Sequence, residues 1–227
     1  MGIEYKSIKQ INLENKRVYE TPDGNKLPSV TTILAACKSE ESKAALDAWR
    51  EREGADVADK ITRYAANVGT HMHSTLEYWC AMREMPAATG NFAKQLAWKM
   101  AKNIVDSALQ ENLGEVYGCE VGVYFPSLYA GNTDLVAVYK NKLCVLDFKQ
   151  TLQPKQEAWI DDYKEQLVAY IDAHNEVYNT SIDTGVVLMS SQALHFQDWE
   201  VTGADLDAAR HRWWKKVEQY YALGFDK

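Results

Sequence analysis

Two acidic residues and a lysine are spaced so that a hairpin of two strands would bring them together. Asp134 lies in the segment YAGNTDLVAVY, and Asp147-Phe148-Lys149 ends the apolar segment KLCVLDFKQ. If these segments pair around a two-residue turn at Lys140-Asn141, Asp134 lies opposite Asp147, and Lys149 shares a face with Asp147. Like charges destabilise such a pair, whereas Mg²⁺ and Mn²⁺ accept carboxylate ligands. The pattern indicates a cation site or, alternatively, a buried Asp147–Lys149 ion pair beside an exposed Asp134.

The elements that must position these residues are predicted from the periodicity of the sequence. Turn residues PDGN separate RVYET from KLPS and predict an early hairpin, and Ser29 is placed to cap a short helix, VTTILAA. A helical pattern covers residues 40–113, with ADVADKITRYAANV and GTHMHSTLEYWCAMREM as separate helices. Three β-rich segments follow over residues 115–151, then a helix at 156–178, the strands TGVVLMS and ALHFQDWEV, and a helix at 204–223. This order predicts an α/β core behind a helical N-terminal elaboration.

Composition is typical of a single intracellular domain. The chain has 227 residues, of which 46% are hydrophobic and 25% charged, and no run of 18 apolar residues occurs. The first residues lack the apolar stretch of a signal peptide, so we expect a cytoplasmic protein without a membrane partner. Four scattered cysteines without a CxxC pair predict reduced core residues. A net charge of -7 disfavours whole-surface attraction to nucleic acid but allows a local basic groove.

Further motifs flank the hairpin in a characteristic order. Gly69-Thr70-His71-Met72-His73 is followed by Glu77, Glu120 lies in the strand before Asp134, and Gln166-Leu167-Val168-Ala169-Tyr170 follows the lysine. Together with Gly131-Asn132-Thr133-Asp134 and Asp147-Phe148-Lys149, they resemble the RecB-like branch of the PD-(D/E)XK nuclease superfamily. The resemblance covers residues 65–175. Within that branch, the compact chain is most similar to the phage and mitochondrial genome maintenance type of single-strand DNA exonuclease.

This resemblance implies a fold and an activity. The fold would be a restriction-endonuclease-like α/β core, a mixed central sheet flanked by helices, in one domain with segments 1–65, 66–200 and 201–227. The activity would be metal-dependent hydrolysis of phosphodiester bonds at single-stranded DNA ends in replication, recombination or repair, in the host cytoplasm if the gene belongs to a phage. Alternatives are a restriction-type or structure-specific endonuclease and a non-catalytic DNA-binding module.

The resemblance also implies roles for individual residues. Catalytic residues would be Asp134, Asp147, Lys149 and Glu120. Metal ligands for Mg²⁺ or Mn²⁺ would be His73, Asp134, Asp147 and the backbone carbonyl of Phe148, with Glu77 one helical turn beyond His73 to accept its other N–H. Gln166 and Tyr170 would touch the active site or the DNA backbone.

Several of these residues have structural alternatives. His73 is also consistent with a capped or core histidine, Glu120 with a salt-bridge acceptor, and Tyr170 with an ordinary core tyrosine. Branch members that carry an iron-sulfur cluster have three cysteines near the C-terminus, whereas this sequence has none after Cys144. No iron-sulfur cluster is therefore expected.

A basic and aromatic stretch in the last helix is a candidate DNA contact. It contains Arg210, Arg212 and Lys215 beside two tryptophans, and cations with stacking aromatics bind single strands without sequence preference. The alternative is a core helix, because Trp213 forms an apolar stripe with Leu206 and neighbouring residues at helical spacing.

Overall fold

The structure is a computed structural model that describes residues 3–13 and 16–224. A small antiparallel sheet comes first, with strands β1 (Lys9–Leu13), β2 (Lys16–Glu20) and β3 (Lys26–Pro28). The predicted hairpin around PDGN is confirmed, since Glu20 pairs with Lys26. Strand β1 was not predicted.

The helical layer begins directly after this sheet. It contains α1 (Val30–Ala36), α2 (Glu40–Glu53), α3 (Ala55–Met82) and α4 (Phe92–Ile104), and α4 continues through a π-helical turn, Val105–Leu109, into the short α5 (Gln110–Asn112). Ser29 caps α1 as predicted, because its Oγ accepts a hydrogen bond from the Thr32 backbone N–H.

The prediction of two separate helices around Gly69 is wrong. Helix α3 runs unbroken through this residue for 28 residues. A Cβ atom at Gly69 would lie 3.6 Å from Cγ of Gln150, which is an ordinary van der Waals contact, so the packing against β6 does not require a glycine there. One glycine disfavours a helix interior by only roughly 1 kcal/mol, which is too little to end a long helix whose apolar face is buried.

The central sheet has the strand order β4 (Leu113–Phe125), β5 (Tyr129–Tyr139), β6 (Lys142–Thr151), β7 (Thr184–Ser191) and β8 (Phe196–Thr202). Strands β6 and β7 are parallel, and the other neighbours are antiparallel. Helix α6 (Asp161–Tyr178) connects β6 to β7, and α7 (Gly203–Ala222) follows β8. The helix predicted at 156–178 begins later, because Glu157–Trp159 form a separate 3-10 turn.

The predicted register of the central hairpin is confirmed. Tyr139 pairs with Lys142 around Lys140 and Asn141, whose φ angles of 47° and 65° are those of a type I′ turn. The pairing continues to Leu135 and Leu146. Beyond this pair, the Asp134 carboxylate reaches across to β6 and accepts a hydrogen bond from the backbone N–H of Phe148, the residue after Asp147.

Helices cover both faces of the central sheet. Val136 and Val145 belong to the core under α1, α6 and α7, whereas Leu135 and Leu146 belong to the core under α3 and α4. This alternation follows from the two-residue period of a strand. The predicted fold class, a mixed sheet flanked by helices behind an N-terminal elaboration, is confirmed.

The small sheet packs near the central hairpin, since buried Tyr19 shares a cluster with Ala130 of β5. No helix in the described part of the chain is both long and apolar enough to cross a membrane. The division into segments 1–65, 66–200 and 201–227 stays a prediction, and residues 1–2, 14–15 and 225–227 lie outside the described ranges.

Candidate active site

A cavity of about 740 Å³ brings most of the predicted site residues together. Its walls come from the small sheet, α1, α3, the central hairpin with β4, and α6. The predicted residues that line it are His73, Glu77, Glu120, Asp134, Asp147, Lys149, Gln166 and Tyr170.

Three side chains in this cavity form a cluster that suits a metal ion. His73 Nδ1 lies 3.2 Å from Asp134 Oδ1 and 4.0 Å from Glu120 Oε1. One possible ligand atom from each residue lies within 4.8 Å of the other two. The cluster draws on three elements distant in sequence, since α3 supplies the imidazole and β4 and β5 supply the carboxylates.

Glu120 enters this cluster through an unusual backbone conformation. Its φ angle is 49°, in the left-handed region that residues with a side chain rarely adopt, although it lies inside strand β4. Neighbouring residues Cys119 and Val121 remain paired with Leu135 and Thr133 of β5. Strained residues of this kind persist where the surrounding structure holds them, often at functional sites.

Electrostatic interactions in the cluster favour a positive charge on His73 beside the Asp134 carboxylate. Burial alone would raise the pKa of Asp134, but the hydrogen bond and charge of His73 outweigh it and hold that pKa below its usual value. Burial likewise opposes protonation of His73, yet the hydrogen bond with Asp134 raises the pKa of the imidazole. Burial, helped by the Asp134 charge, raises the pKa of Glu120 to about 7. Two carboxylates thus converge with only one imidazole between them.

A second group of polar side chains extends from Asp147. Its Oδ2 lies 2.5 Å from Lys149 Nζ, and Lys149 donates a hydrogen bond of 3.0 Å to Gln166 Oε1. The amide nitrogen of Gln166 in turn donates to the Tyr170 hydroxyl at 3.0 Å. A Cβ atom at Gly131 would lie only 2.7 Å from the Tyr170 ring, so glycine is needed there. The QxxxY motif therefore orients the lysine.

Burial controls the charges in this second group. It raises the pKa of Asp147 to about 6, although the Lys149 ammonium opposes that rise. Burial alone would lower the pKa of Lys149, but Asp147 and Asp134 outweigh it and raise that pKa. Lys149 therefore stays an ammonium ion.

Two predicted residues contribute differently from what the sequence suggested. The backbone N–H of Phe148 donates a 2.6 Å hydrogen bond to Asp134 Oδ2, and its buried ring lies 6.3 Å from the His73 ring. Its carbonyl as a metal ligand stays a prediction. Glu77 lines the cavity, but among the described residues no hydrogen bond joins it to His73.

The basic residues of α7 lie outside this cavity. Arg210 pairs with Asp172 at 3.0 Å, and Arg212 pairs with the buried Glu165 at 3.0 Å. Lys215 is exposed. Trp213 is fully buried, as in the core alternative. A role for these cations in DNA binding stays a prediction, and the ion pairs give both arginines a structural role.

Sequence reasoning missed one wall of the cavity. Gln10, Arg17 and Tyr19 of the small sheet line it, together with Ser29 and Thr31. The sequence signals for a turn and a helix cap predicted the elements that carry several of these residues. Nothing in their spacing indicated that the small sheet would pack beside the central hairpin.

Comparison with curated proteins yields relatives of one kind. The chain is 28% identical over 214 residues to mitochondrial genome maintenance exonuclease 1 of Homo sapiens and 29% identical over 214 residues to that of Mus musculus. Each alignment covers 86% of this chain. The chain is similar to these exonucleases. It spans 58% and 59% of their respective lengths. The resemblance predicted from the sequence is thereby confirmed.

Comparison with solved structures supports the fold. The crystal structure described as "Putative exonuclease" from Eubacterium rectale matches with a TM-score of 0.50 and 13% identity, over 70% of this chain and 65% of that one. At this identity the likeness concerns the fold alone. No family model matches the chain.

Proposed function

We propose that this chain is a metal-dependent DNA exonuclease that hydrolyses phosphodiester bonds at the ends of single-stranded DNA. The observation that carries the proposal is the convergence of His73, Asp134 and Glu120 beside the Asp147–Lys149 pair in one cavity. The exonuclease relatives described above support the reaction class. A related protein that had lost its catalytic activity would be expected to lack at least one of these groups.

The donor set fits a divalent cation. Two carboxylates and one imidazole converge, and the like charges of Glu120 and Asp134 would be neutralised by a bound cation. Carboxylate ligands suit Mg²⁺ and Mn²⁺, and the imidazole favours Mn²⁺ of the two. His73 must be neutral to bind a metal, so binding would release the proton that it shares with Asp134. Asp147 and the Phe148 carbonyl would complete the site from β6.

A bound divalent ion supplies a nucleophilic water at neutral pH and stabilises charge on the phosphate. Lys149 has a different task. Its raised pKa keeps it an ammonium, which favours orienting the water and offsetting phosphate charge over accepting a proton. Gln166 holds the ammonium in place, and Tyr170 holds Gln166.

The test is incubation with end-labelled single-stranded, double-stranded and circular single-stranded DNA, with Mg²⁺, Mn²⁺ or EDTA. We expect short products released from a terminus of the single strand, no cleavage in EDTA, and intact circles. Asp134→Asn is the control for contaminating nucleases and should be inactive while keeping its fold. Rapid cutting of circles would contradict exonuclease action and favour an endonuclease, and cleavage in EDTA would contradict metal dependence.

A further inference from the structure

The wall formed by the small sheet carries a cation that the proposed chemistry does not use. Among the described residues that line the cavity, the two side chains with a fixed positive charge are Arg17 and Lys149. Lys149 already forms an ion pair with Asp147 and donates a hydrogen bond to Gln166. Arg17 is exposed, and no carboxylate of the described residues forms an ion pair with it.

The backbone of Arg17 is anchored to the start of α1, although its side chain is exposed. Its carbonyl accepts hydrogen bonds from the Ser29 N–H at 3.0 Å and from Thr32 Oγ1 at 3.2 Å. Burial raises the pKa of the Tyr19 hydroxyl, and the nearby Arg17 guanidinium opposes that rise. The start of α1 therefore fixes the backbone from which the Arg17 side chain lines the cavity.

The neighbours of Arg17 make this wall polar. Side chains two residues apart on a strand share a face, so Arg17 and Tyr19 lie together on β2. Gln10 is the partner of Tyr19 on β1, and its Oε1 accepts a 3.4 Å hydrogen bond from the Tyr19 hydroxyl. The hydroxyl groups of Ser29 and Thr31 line the cavity beside them. Donors of this kind are the ones that bind phosphate oxygens.

The cavity is acidic, so an anionic substrate needs positively charged groups to bind in it. Four carboxylates line it, those of Glu77, Glu120, Asp134 and Asp147. A bound metal ion would offset part of that charge at the scissile phosphate, but the neighbouring phosphates of the strand would still enter an acidic cavity. A guanidinium pairs with a phosphate through two parallel hydrogen bonds and cannot lose its charge.

We infer that Arg17, with the polar wall of the small sheet, is a binding subsite for a backbone phosphate of the DNA strand other than the one being cleaved. This inference rests on the proposed function for its ligand. The subsite positions the strand, so it sets which linkage reaches the metal site and how many nucleotides each product contains.

The first experiment measures binding without cleavage. Fluorescein-labelled oligothymidylate is titrated in EDTA over a range of salt concentrations with wild type, Arg17→Gln and the control Lys26→Gln. Lys26 pairs with Glu20, so it lies on the opposite face of the same sheet and undergoes the same change of charge. We expect Arg17→Gln to weaken binding and to reduce the slope of log Kd against log salt by about 0.7, the value for one phosphate contact in a single strand. Lys26→Gln should match wild type.

The second experiment locates the phosphate. Binding of oligonucleotides that carry one neutral methylphosphonate linkage is measured with wild type and with Arg17→Gln. The changes in binding free energy from the linkage and from the substitution are then compared in a double-mutant cycle. At one linkage next to the cleaved one, the neutral linkage should weaken binding by wild type. It should not weaken binding by Arg17→Gln any further. Thermal melting of Arg17→Gln checks that the fold is kept, and Arg17→Lys should restore part of the binding.

The outcomes separate this inference from the proposed function. If wild type binds the oligonucleotide and shows the coupling but never cleaves, the nuclease proposal fails and the phosphate subsite stands. If Arg17→Gln binds and cleaves as wild type does, or if the effects add at every linkage, the subsite is overturned while the nuclease proposal stands. Failure of wild type to bind the oligonucleotide would also overturn the subsite.

Discussion

The Lys149 ammonium lies 2.5 Å from Asp147 Oδ2 at the end of a buried strand. Asp147 is 2% exposed, and the ammonium also donates to Gln166 on α6. A buried carboxylate without such a partner would be strongly unfavourable. The pair therefore keeps a positive charge in the same cavity as the candidate metal ligands His73, Glu120 and Asp134.

This relationship predicts the effect of removing the lysine. Lys149→Ala deletes no metal ligand, so the variant should still bind metal, although it leaves the buried Asp147 without its partner and should lower stability. Loss of a charge that acts on the phosphate and water should lower kcat by roughly 10²-fold or more. The measurements are Mn²⁺ titration and single-turnover cleavage of end-labelled single-stranded DNA. Lys142→Ala, at the other end of β6 in a surface pair with Glu200, is the matched control and should retain full activity. Wild-type turnover by Lys149→Ala would remove the lysine from the chemistry.

Glu120 predicts a trade-off between stability and metal binding. Glu120→Gly removes a charge that opposes Asp134 and relieves a residue at φ 49°, so thermal stability in metal-free buffer should rise by about 1 kcal/mol. The same variant should lose most of the stabilisation that Mn²⁺ gives wild type. Glu120→Gln removes the charge but keeps the backbone strain, so the difference between the two variants measures the strain. Undiminished stabilisation of Glu120→Gly by Mn²⁺ would show that Glu120 is not a ligand.

Much of the site follows from local sequence signals. Apolar runs of matching length on either side of Lys140 and Asn141 fix the hairpin register as far as Leu135 and Leu146, and the next residue, Asp134, bonds to the backbone of β6. The four-residue spacing of Gln166 and Tyr170 places both on one face of a helix, as found.

The remainder depends on tertiary packing. Glu120 reaches the cluster only because its backbone adopts a positive φ, which no neighbouring residue signals. Arg17 lines the cavity because the small sheet packs against β5, a contact between segments distant in sequence. The α7 arginines have the composition of a DNA-binding patch, yet the acidic residues Asp172 and Glu165 of α6 pair with them, and Glu165 is buried.

Those ion pairs predict that Arg212 stabilises the fold. Its Nε lies 3.0 Å from Oε1 of Glu165, whose side chain is 2% exposed and also pairs with Lys216. Arg212→Gln should lower the free energy of unfolding by about 1–2 kcal/mol, because one hydrogen bond to a buried carboxylate is lost. Affinity for single-stranded DNA should change less than twofold. Lys215→Gln, an exposed neighbour, should leave stability unchanged. A tenfold loss of DNA affinity with unchanged stability would instead establish Arg212 as a DNA contact.

His174 predicts how stability depends on pH, at a position away from the proposed chemistry. The imidazole is fully buried on α6, with Nδ1 2.8 Å from Thr180 Oγ1 and Nε2 3.2 Å from the Tyr5 hydroxyl. Burial lowers the pKa of His174 to about 4, against an ordinary value of 6.5. Between pH 6.5 and about 4, the His174 imidazole is therefore protonated in the unfolded chain but neutral in the folded chain.

The sign of the effect follows directly from that difference in pKa. The contribution of His174 to stability is complete above pH 6.5 and is lost as pH falls from 6.5 towards 4, by up to roughly 3 kcal/mol. Urea unfolding of wild type and His174→Gln at pH 7.5, 6, 5 and 4.5 measures it, and the stability gap between the two proteins should narrow with acidification. His211→Gln, at an exposed position, should follow wild type at every pH. Parallel curves for wild type and His174→Gln would show that the buried imidazole does not govern acid sensitivity.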